Sequence, residues 1–371
     1  LEAGTLQFAE PYKYTMADKE KRNPSIVDVA QKAGVSAGTV SRVINSNPKI
    51  SAATVKRVVS AMDDLGYQPP HPTRRRGKSS RAQQGIHNNQ VAVVPINTGP
   101  RLNRSPLITK TWTGIQKALE REDLSMVISA VDNLARLPAI LDPKKTDGVI
   151  IEGLAPADKL RAAFENMPTV FIFACSEEMQ QDTWFDQVLP DSKAIGLMAA
   201  EYLRDKGRTQ VAFLNPDPDC PACKVRGRAF FEAAPAFGLE VQLFQSEASN
   251  EAFPTLNAEV QRARVEALVD QLLASNPRPT GVFIPSDYVT CLTQVQLLRK
   301  GVVPGKDITL ISCNNEEVIL SGLYPRPATI DIRPELVGDH AVDQLLWRIA
   351  NRTKPGGARV TVPPKLVEGD L

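Results

Sequence analysis

The residues best suited to chemistry stand close together between positions 36 and 45. Ser36, Thr39, Ser41, Arg42 and Asn45 are short hydrogen-bonding groups plus one guanidinium, and Ala37 and Gly38 carry almost no side chain. Val40, Val43 and Ile44 are interleaved with them at helical spacing. A helix built this way buries one face and offers the other to the major groove of duplex DNA. There Arg42 can donate a bidentate pair to guanine or hold a phosphate. Ala37 can touch a thymine methyl, and Gly38 lets the backbone come close. Enzymatic chemistry is not legible. His71, His87 and His340 are the three histidines, none beside a plausible nucleophile, and no Gly-rich phosphate loop occurs.

Short helices must position this segment. In IVDVAQKA (26–33) the apolar residues Ile26, Val29, Ala30 and Ala33 form one helical stripe, and a tight turn at Gly34 follows. Ser51 is a good N-cap for a third helix with Val55, Val58, Val59, Met62 and Leu65 as its stripe and Gly66 as its end. Three such helices around one small core make a helix-turn-helix module. Its first helix crosses the DNA backbone, its second (37–45) enters the groove, and the start of the third aims N–H groups and Ser51 at a phosphate.

Charge supports this division. Positions 19–90 hold 13 Lys and Arg against 4 Asp and Glu, whereas positions 91–371 hold 30 against 35. A basic N-terminal module precedes a mildly acidic remainder, as expected for a nucleic-acid reader tied to a sensor. The chain is long enough for two or three domains. It has no run of 18 apolar residues and no signal-peptide pattern, so a cytoplasmic protein without a membrane partner is expected. Five scattered cysteines (Cys175, Cys220, Cys223, Cys291, Cys313) should stay reduced there. The lone Cys220-Pro-Ala-Cys223 lacks a second ligand pair, which points to a loop cap over a metal or redox site. No cofactor and no metal are expected.

After Gln90 the pattern becomes strands alternating with helices. Apolar strands are expected at 91–97, 125–132, 148–154, 169–175, 210–216, 239–244, 281–287 and 308–314. Helices are expected at 111–122, 133–141, 192–206, 225–237, 258–275 and 288–300. Such strands indicate doubly wound parallel sheets, and their number implies two lobes. Ligands then bind beyond the carboxyl ends of the strands.

The run IVDVAQKAGVSAGTVSRVIN, then Ser51-Ala-Ala-Thr54 and Leu65-Gly-Tyr-Gln-Pro69, resembles the DNA-binding domain of the lactose-repressor (LacI/GalR) family. The resemblance extends more weakly to about residue 370. It implies an α/β chain with an N-terminal three-helix domain and a two-lobed, periplasmic-binding-protein-like core. It also implies a homodimer on a palindromic operator, controlled by a small molecule. By position, Ala37, Gly38 and Arg42 match base-reading positions; Thr39, Ser41, Asn45, Ser51 and Thr54 match backbone-contacting or capping ones. The family's effector-binding Arg maps to Arg226, and its hydroxyl-binding acids map to Asp287 and Asn314. An arginine fork suits hydroxyls or a carboxylate, Asp287 would accept paired hydroxyl protons, and Asn314 both donates and accepts. Asn97 and Asp132 close first-lobe strands as ligands or as helix caps. Trp184, Phe185 and Phe253 would stack on a sugar or belong to the core. The segment PDPDCPAC before Arg226 would shape the cleft mouth.

The expected boundaries are a leader at 1–23, the helix-turn-helix domain at 24–68, a basic linker at 69–90 and the core at 91–371. Within the core, the first lobe takes 91–187 and 315–332, the second 188–314 and 333–371. The hinge departs from the family pattern P-N-x-x-A-R-x-L. Pro70 stands for the Asn, Thr73 for the Ala and Arg76 for the wedging Leu. Arg74, Arg75 and Arg76 would enter a narrow minor groove or clamp phosphates. The expected function is a repressor whose effector is a sugar or sugar derivative. A solute-binding protein of a transport system is the other reading, which the helix-turn-helix and the missing signal peptide oppose.

Overall fold

The computed structural model describes residues 25–44, 50–65, 67, 85–97, 106–153, 155–173, 184–247, 258–354 and 357–370. The chain divides into two units, Leu1–Arg75 and Arg76–Leu371. In the first, α1 (Ile26–Ala33), α2 (Ala37–Ile44) and α3 (Ala52–Leu65) enclose Val29, Ala30, Ala33, Val40, Val43, Val58 and Ala61. Ser25 and Asp28 cap α1 reciprocally, the Ser25 N–H donating to Asp28 Oδ2 at 2.7 Å. Gly34 ends α1 at φ 64°, a conformation a side chain resists, and so permits the tight turn. Lys32 and Asp64 tie α1 to α3 at 3.1 Å. Val59, expected in the buried stripe of α3, is 44 % exposed; Ala61 fills the core in its place.

The second unit holds two six-stranded sheets. The first runs β11-β5-β4-β3-β1-β2, with β1 (Gln90–Ile96), β2 (Ser125–Ile128), β3 (Gly148–Gly153), β4 (Thr169–Ile172), β5 (Asp186–Pro190) and β11 (Arg359–Val362). The second runs β12-β10-β9-β8-β6-β7, with β6 (Gln210–Asn215), β7 (Glu240–Gln245), β8 (Gly281–Phe283), β9 (Thr309–Cys313), β10 (Ala328–Asp331) and β12 (Lys365–Val367). Among the described residues all strand pairings in the two sheets are parallel except β10 with β12. Alternation explains the layers. Val91 and Val93 pack on one face of β1, while Ala92, Val94 and Ile96 pack on the other. In the second sheet Val211 and Phe213 face one core, Ala212 and Leu214 the other.

Helices cover the sheets. In chain order they are α4 (Pro106–Arg121), α5 (Ala157–Phe164), α6 (Ser192–Asp205), α7 (Pro221–Ala233), α8 (Ala258–Ala274), α9 (Asp287–Arg299), α10 (Glu317–Leu320) and α11 (Pro334–Ala350). No helix among the described residues is long and apolar enough to cross a membrane.

Strand pairing corrects the expected lobe boundaries. β5 ends the first-lobe run at Pro190, so 188–190 stay in the first lobe. β10 pairs with β9, which puts 328–331 in the second lobe. α11 packs on the first-lobe core through Val337, Ala341 and Leu345, and β11 pairs with β5; both were expected in the second lobe. The chain therefore passes between the sheets after β5, after β10 and after β11. The helix expected at 133–141 is a series of turns. Asn133 Oδ1 accepts the Ala135 N–H, and Pro138 has no N–H to extend a helical ladder.

Close helix crossings set the geometry of each lobe. A Cβ on Gly114 of α4 would sit 2.1 Å from the Glu335 carbonyl, and one on Gly338 of α11 would sit 2.3 Å from the Thr111 carbonyl. In the second lobe, Gly196 of α6 lies under α7, where a Cβ would come 2.4 Å from the Arg226 carbonyl. Gly196→Ala should push α7 off its seat and destabilise the core by about 1–3 kcal/mol, as overpacking does. Denaturant unfolding of the purified chain checks this, and an unchanged midpoint would refute the crossing argument.

Candidate DNA-binding face and ligand site

In the three-helix unit, two Ser-x-x-Thr caps do the positioning. Ser36 Oγ accepts the Thr39 N–H at 3.1 Å and bonds its hydroxyl at 3.0 Å; Ser51 Oγ pairs with Thr54 at 3.4 and 2.9 Å in the same way. Thr39 and Thr54 thus spend their hydroxyls inside the fold, and the capping role of Ser36 was not read from the sequence. Ala37 and Ser41 are half-buried, whereas Gly38 and Arg42 are exposed. A Cβ on Gly38 would meet nothing closer than Ser36 Oγ at 3.7 Å, so packing does not require glycine there. Arg42 forms no hydrogen bond or ion pair among the described residues. Asn45, Arg74, Arg75 and Arg76 lie outside the described residues, as does Phe253.

At the carboxyl end of the second sheet, Arg226, Asn314 and Asp287 come together. Arg226 sits on α7, 5 % exposed, and its Nη1 donates to the Pro285 carbonyl at 2.8 Å and to Asn314 Oδ1 at 3.4 Å. Its Nε and the Asn215 Nδ2 at the end of β6 are buried donors without a hydrogen-bond partner among the described residues. Such groups are costly in a closed core and point to an acceptor supplied from outside. Gly227 keeps α7 tight on β6, since a Cβ would touch the Phe213 ring at 2.6 Å.

Asp287, expected as a hydroxyl acceptor, is engaged within the fold. It is fully buried, and its oxygens already take the Thr329 hydroxyl at 2.9 Å, the Glu316 N–H at 2.7 Å and the Ser312 hydroxyl. Burial pushes its pKa up to about 6 against those donors. Ser286, the half-buried residue before it, opens α9 through its carbonyl, which accepts from Thr290, while its side chain makes no cap bond; it was missed in the sequence.

On the first-lobe side, an isolated bridge between Ile96 and Val131 puts Asn97 and Asp132, both exposed, beside one another. Asn97 adopts φ 51° and donates its N–H to the Val131 carbonyl. Trp184 is half-buried edge-on to Phe185, with ring centroids 4.9 Å apart, and packs on the first-lobe core; Phe185 is 3 % exposed. Neither ring is placed as a sugar platform; the core alternative accounts for both. One further contact links the lobes: Lys110 of α4 donates to the Asn315 carbonyl at 2.9 Å, next to the buried Glu316. Burial and the neighbouring Asp287 push the Glu316 pKa up to about 7.

A three-helix reader joined in one chain to a two-lobed α/β core defines the class of ligand-sensing DNA-binding proteins. Residues 25–70 match the model of bacterial regulatory proteins of the lacI family, and residues 200–370 match a periplasmic binding protein-like domain. The chain thus carries a LacI-family helix-turn-helix domain and a periplasmic-binding-protein-like core. The repressor PurR of Vibrio atlanticus is 25 % identical over 336 residues, covering 88 % of this chain and 92 % of that protein. PurR of Vibrio vulnificus gives the same identity and coverage. Among solved structures, the CelR–cellobiose complex has a TM-score of 0.63 at 22 % identity, covering 94 % of this chain and 99 % of that one. The lac repressor dimer bound to operator and an anti-inducer has a TM-score of 0.59 at 18 % identity, covering 94 % of this chain and 98 % of that one. These likenesses establish the fold.

The two raised carboxylates give the core a defined pH dependence. Each binds its proton more tightly in the folded chain than in the unfolded one. Their contribution is therefore full below the unfolded values near 4 and is lost as pH rises through about 6 to 7. The thermal midpoint should fall between about pH 5 and pH 8. Glu316→Gln, which removes the titrating group at nearly constant volume, should flatten that slope and stabilise the core at the alkaline end by about 1–2 kcal/mol. An unaltered slope in the variant would exclude Glu316 as its source.

Proposed function

We propose that this chain is a cytoplasmic transcriptional repressor that binds a palindromic operator as a homodimer and responds to a small molecule held at the carboxyl ends of its core sheets. The observation that carries the DNA-binding part is the exposed Arg42, unengaged within the fold, on the same helix as a glycine that packing does not need. Both features suit a helix pressed into a groove. The family match of residues 25–70 and the repressor names of the relatives support the same reading. For the dimer, Tyr288, Val295 and Leu298 lie along one face of α9 and stay 39–46 % exposed. An isologous contact through such a face would match operator symmetry.

The effector is read from the unpaired donors Arg226 Nε and Asn215 Nδ2, which call for acceptor oxygens or ring nitrogens. A sugar derivative with a carboxylate or carbonyl fits better than a plain sugar, because Asp287 is engaged internally. A purine is the second reading, favoured by the PurR relatives. A transport solute-binding protein is disfavoured by the helix-turn-helix.

Arg42→Ala should cost about 1–3 kcal/mol at one operator position and flatten the base preference there; a uniform loss on all sequences would assign Arg42 to a phosphate instead. Gly38→Ala should leave the domain folded, more stable by up to about 1 kcal/mol, yet weaken operator binding in a gel-shift titration. For the effector, a thermal-shift panel of sugars, uronates, sugar phosphates and purines should yield a compound that stabilises by about 2.7 kcal/mol at a hundredfold excess over its Kd. That shift should vanish in Arg226→Met. A protein that binds no upstream DNA with or without such a compound would overturn the repressor reading.

A further inference from the structure

The start of α7 carries a feature that ligand sensing does not explain. Cys220 is the N-cap of α7, and its sulfur accepts the Cys223 N–H at 3.3 Å. The two residues are three positions apart at a helix start and so face one another on one side of it. Each keeps 8 % of its surface exposed, whereas Cys313, the third sulfur within electrostatic reach of Arg226, is fully buried. From this geometry we infer that Cys220 and Cys223 are a redox-active dithiol whose oxidation to a disulfide changes the electrostatics at Arg226. The inference rests on the ligand-site reading of Arg226 only for its consequence in sensing.

The chemistry divides between the two sulfurs. The neighbouring Cys223 side chain, the Cys223 N–H and the Arg226 charge lower the pKa of Cys220 and make it the better nucleophile of the two. Cys223 is pushed up and holds its proton, first through the neighbouring Cys220 side chain and then through burial. Cys313 is pushed up to about 12 by burial and is inert. With a hydroperoxide as oxidant, the Cys220 thiolate attacks one peroxide oxygen. The O–O bond breaks, and the departing oxygen takes a proton from water or solvent acid, leaving Cys220 as the sulfenic acid. The Cys223 sulfur, releasing its proton to the leaving hydroxyl, then attacks the Cys220 sulfur, the S–O bond breaks and water departs. Two thiols and one hydrogen peroxide thus become one disulfide and two waters. A reducing dithiol reverses the step and is itself oxidised. The disulfide carries no charge, so Arg226 loses an anionic neighbour on its own helix. Among proteins kept in a reducing compartment, disulfides are mainly of this transient kind.

Both cysteines fall in one tryptic peptide, 209–224. The full-length chain, treated with equimolar hydrogen peroxide and alkylated after denaturation, should show that peptide two mass units lighter and without either alkyl group. Dithiothreitol should restore both groups. Cys220→Ser should leave Cys223 open to alkylation, whereas Cys223→Ser should stop at the Cys220 sulfenic acid, which dimedone traps, with no disulfide formed. The link to Arg226 is read from the thermal midpoint. The difference between oxidised and reduced chains should shrink at least twofold in Arg226→Met and return in Arg226→Lys, which restores the charge. If Arg226→Met does not fold, Arg226→Gln takes its place. Retention of both alkyl groups, or sulfinic acid without disulfide, would overturn the dithiol. An equal redox difference in wild type and in the neutral variant would overturn its coupling to Arg226. Neither measurement uses DNA or effector, so both stand if the repressor reading fails.

Discussion

The second lobe depends on one buried carboxylate. Asp287 stands at the first turn of α9, fully out of water, where a charged group survives only with strong hydrogen bonds. It draws those bonds from Ser312 on β9, Thr329 on β10 and the backbone of Glu316 beyond β9. One side chain thus joins a helix start to two neighbouring strand ends. Ser312 is held again by Thr290 at 2.8 Å. Arg226 and Asn314 inherit their positions from this hub. Asn314 follows β9 directly, and Arg226 spans from α7 to Asn314 and to the Pro285 carbonyl two residues before Asp287.

The first lobe solves the same problem with a buried ion pair. Asp186 at the start of β5 is fully buried and takes both arms of Arg348, at 2.8 and 2.6 Å, together with the Ala358 N–H and Gln344. The pair ties α11 to β5 and to the approach to β11, which are far apart in sequence. Breaking such a pair leaves an uncompensated charge and costs about 3–5 kcal/mol. Between the lobes the polar link is different in kind. Lys110 of α4 meets the Asn315 carbonyl, next to the buried Glu316.

Much of the fold is legible in the chain because its long elements are strongly periodic. Val91 to Val94 declare a strand buried on both faces, and Val29, Ala30 and Ala33 declare a helical stripe. The short strands escape this logic. In β10 and β12 four and three residues offer too few alternations to separate a strand from a loop, and β5 opens on Asp186 and Gln187. Missing them exchanged the lobes of the segments after Asn314. The site was legible in part. Arg226 and Asn314 do meet. Asp287 was legible as a position, but its internal hydroxyl network was not, because an acid after a strand reads the same whether it faces a ligand or a hydroxyl network. Ser36, Glu316 and Ser286 carry no signal beyond their immediate neighbours.

The amino-acid sequence by itself determined the three-helix reader, the bare start of its recognition helix and the α/β class of the core. Each follows from local spacing and from residue types whose preferences act over a few positions. Only the tertiary structure decided which lobe each late segment joins, since strand pairing is a long-range choice. It also decided that Asp287 faces inward and that Arg226 and Asn215 keep donors unpaired. Whether a polar group is satisfied depends on partners that the fold brings from elsewhere in the chain. The chemistry of this site is therefore a property of the folded neighbourhood.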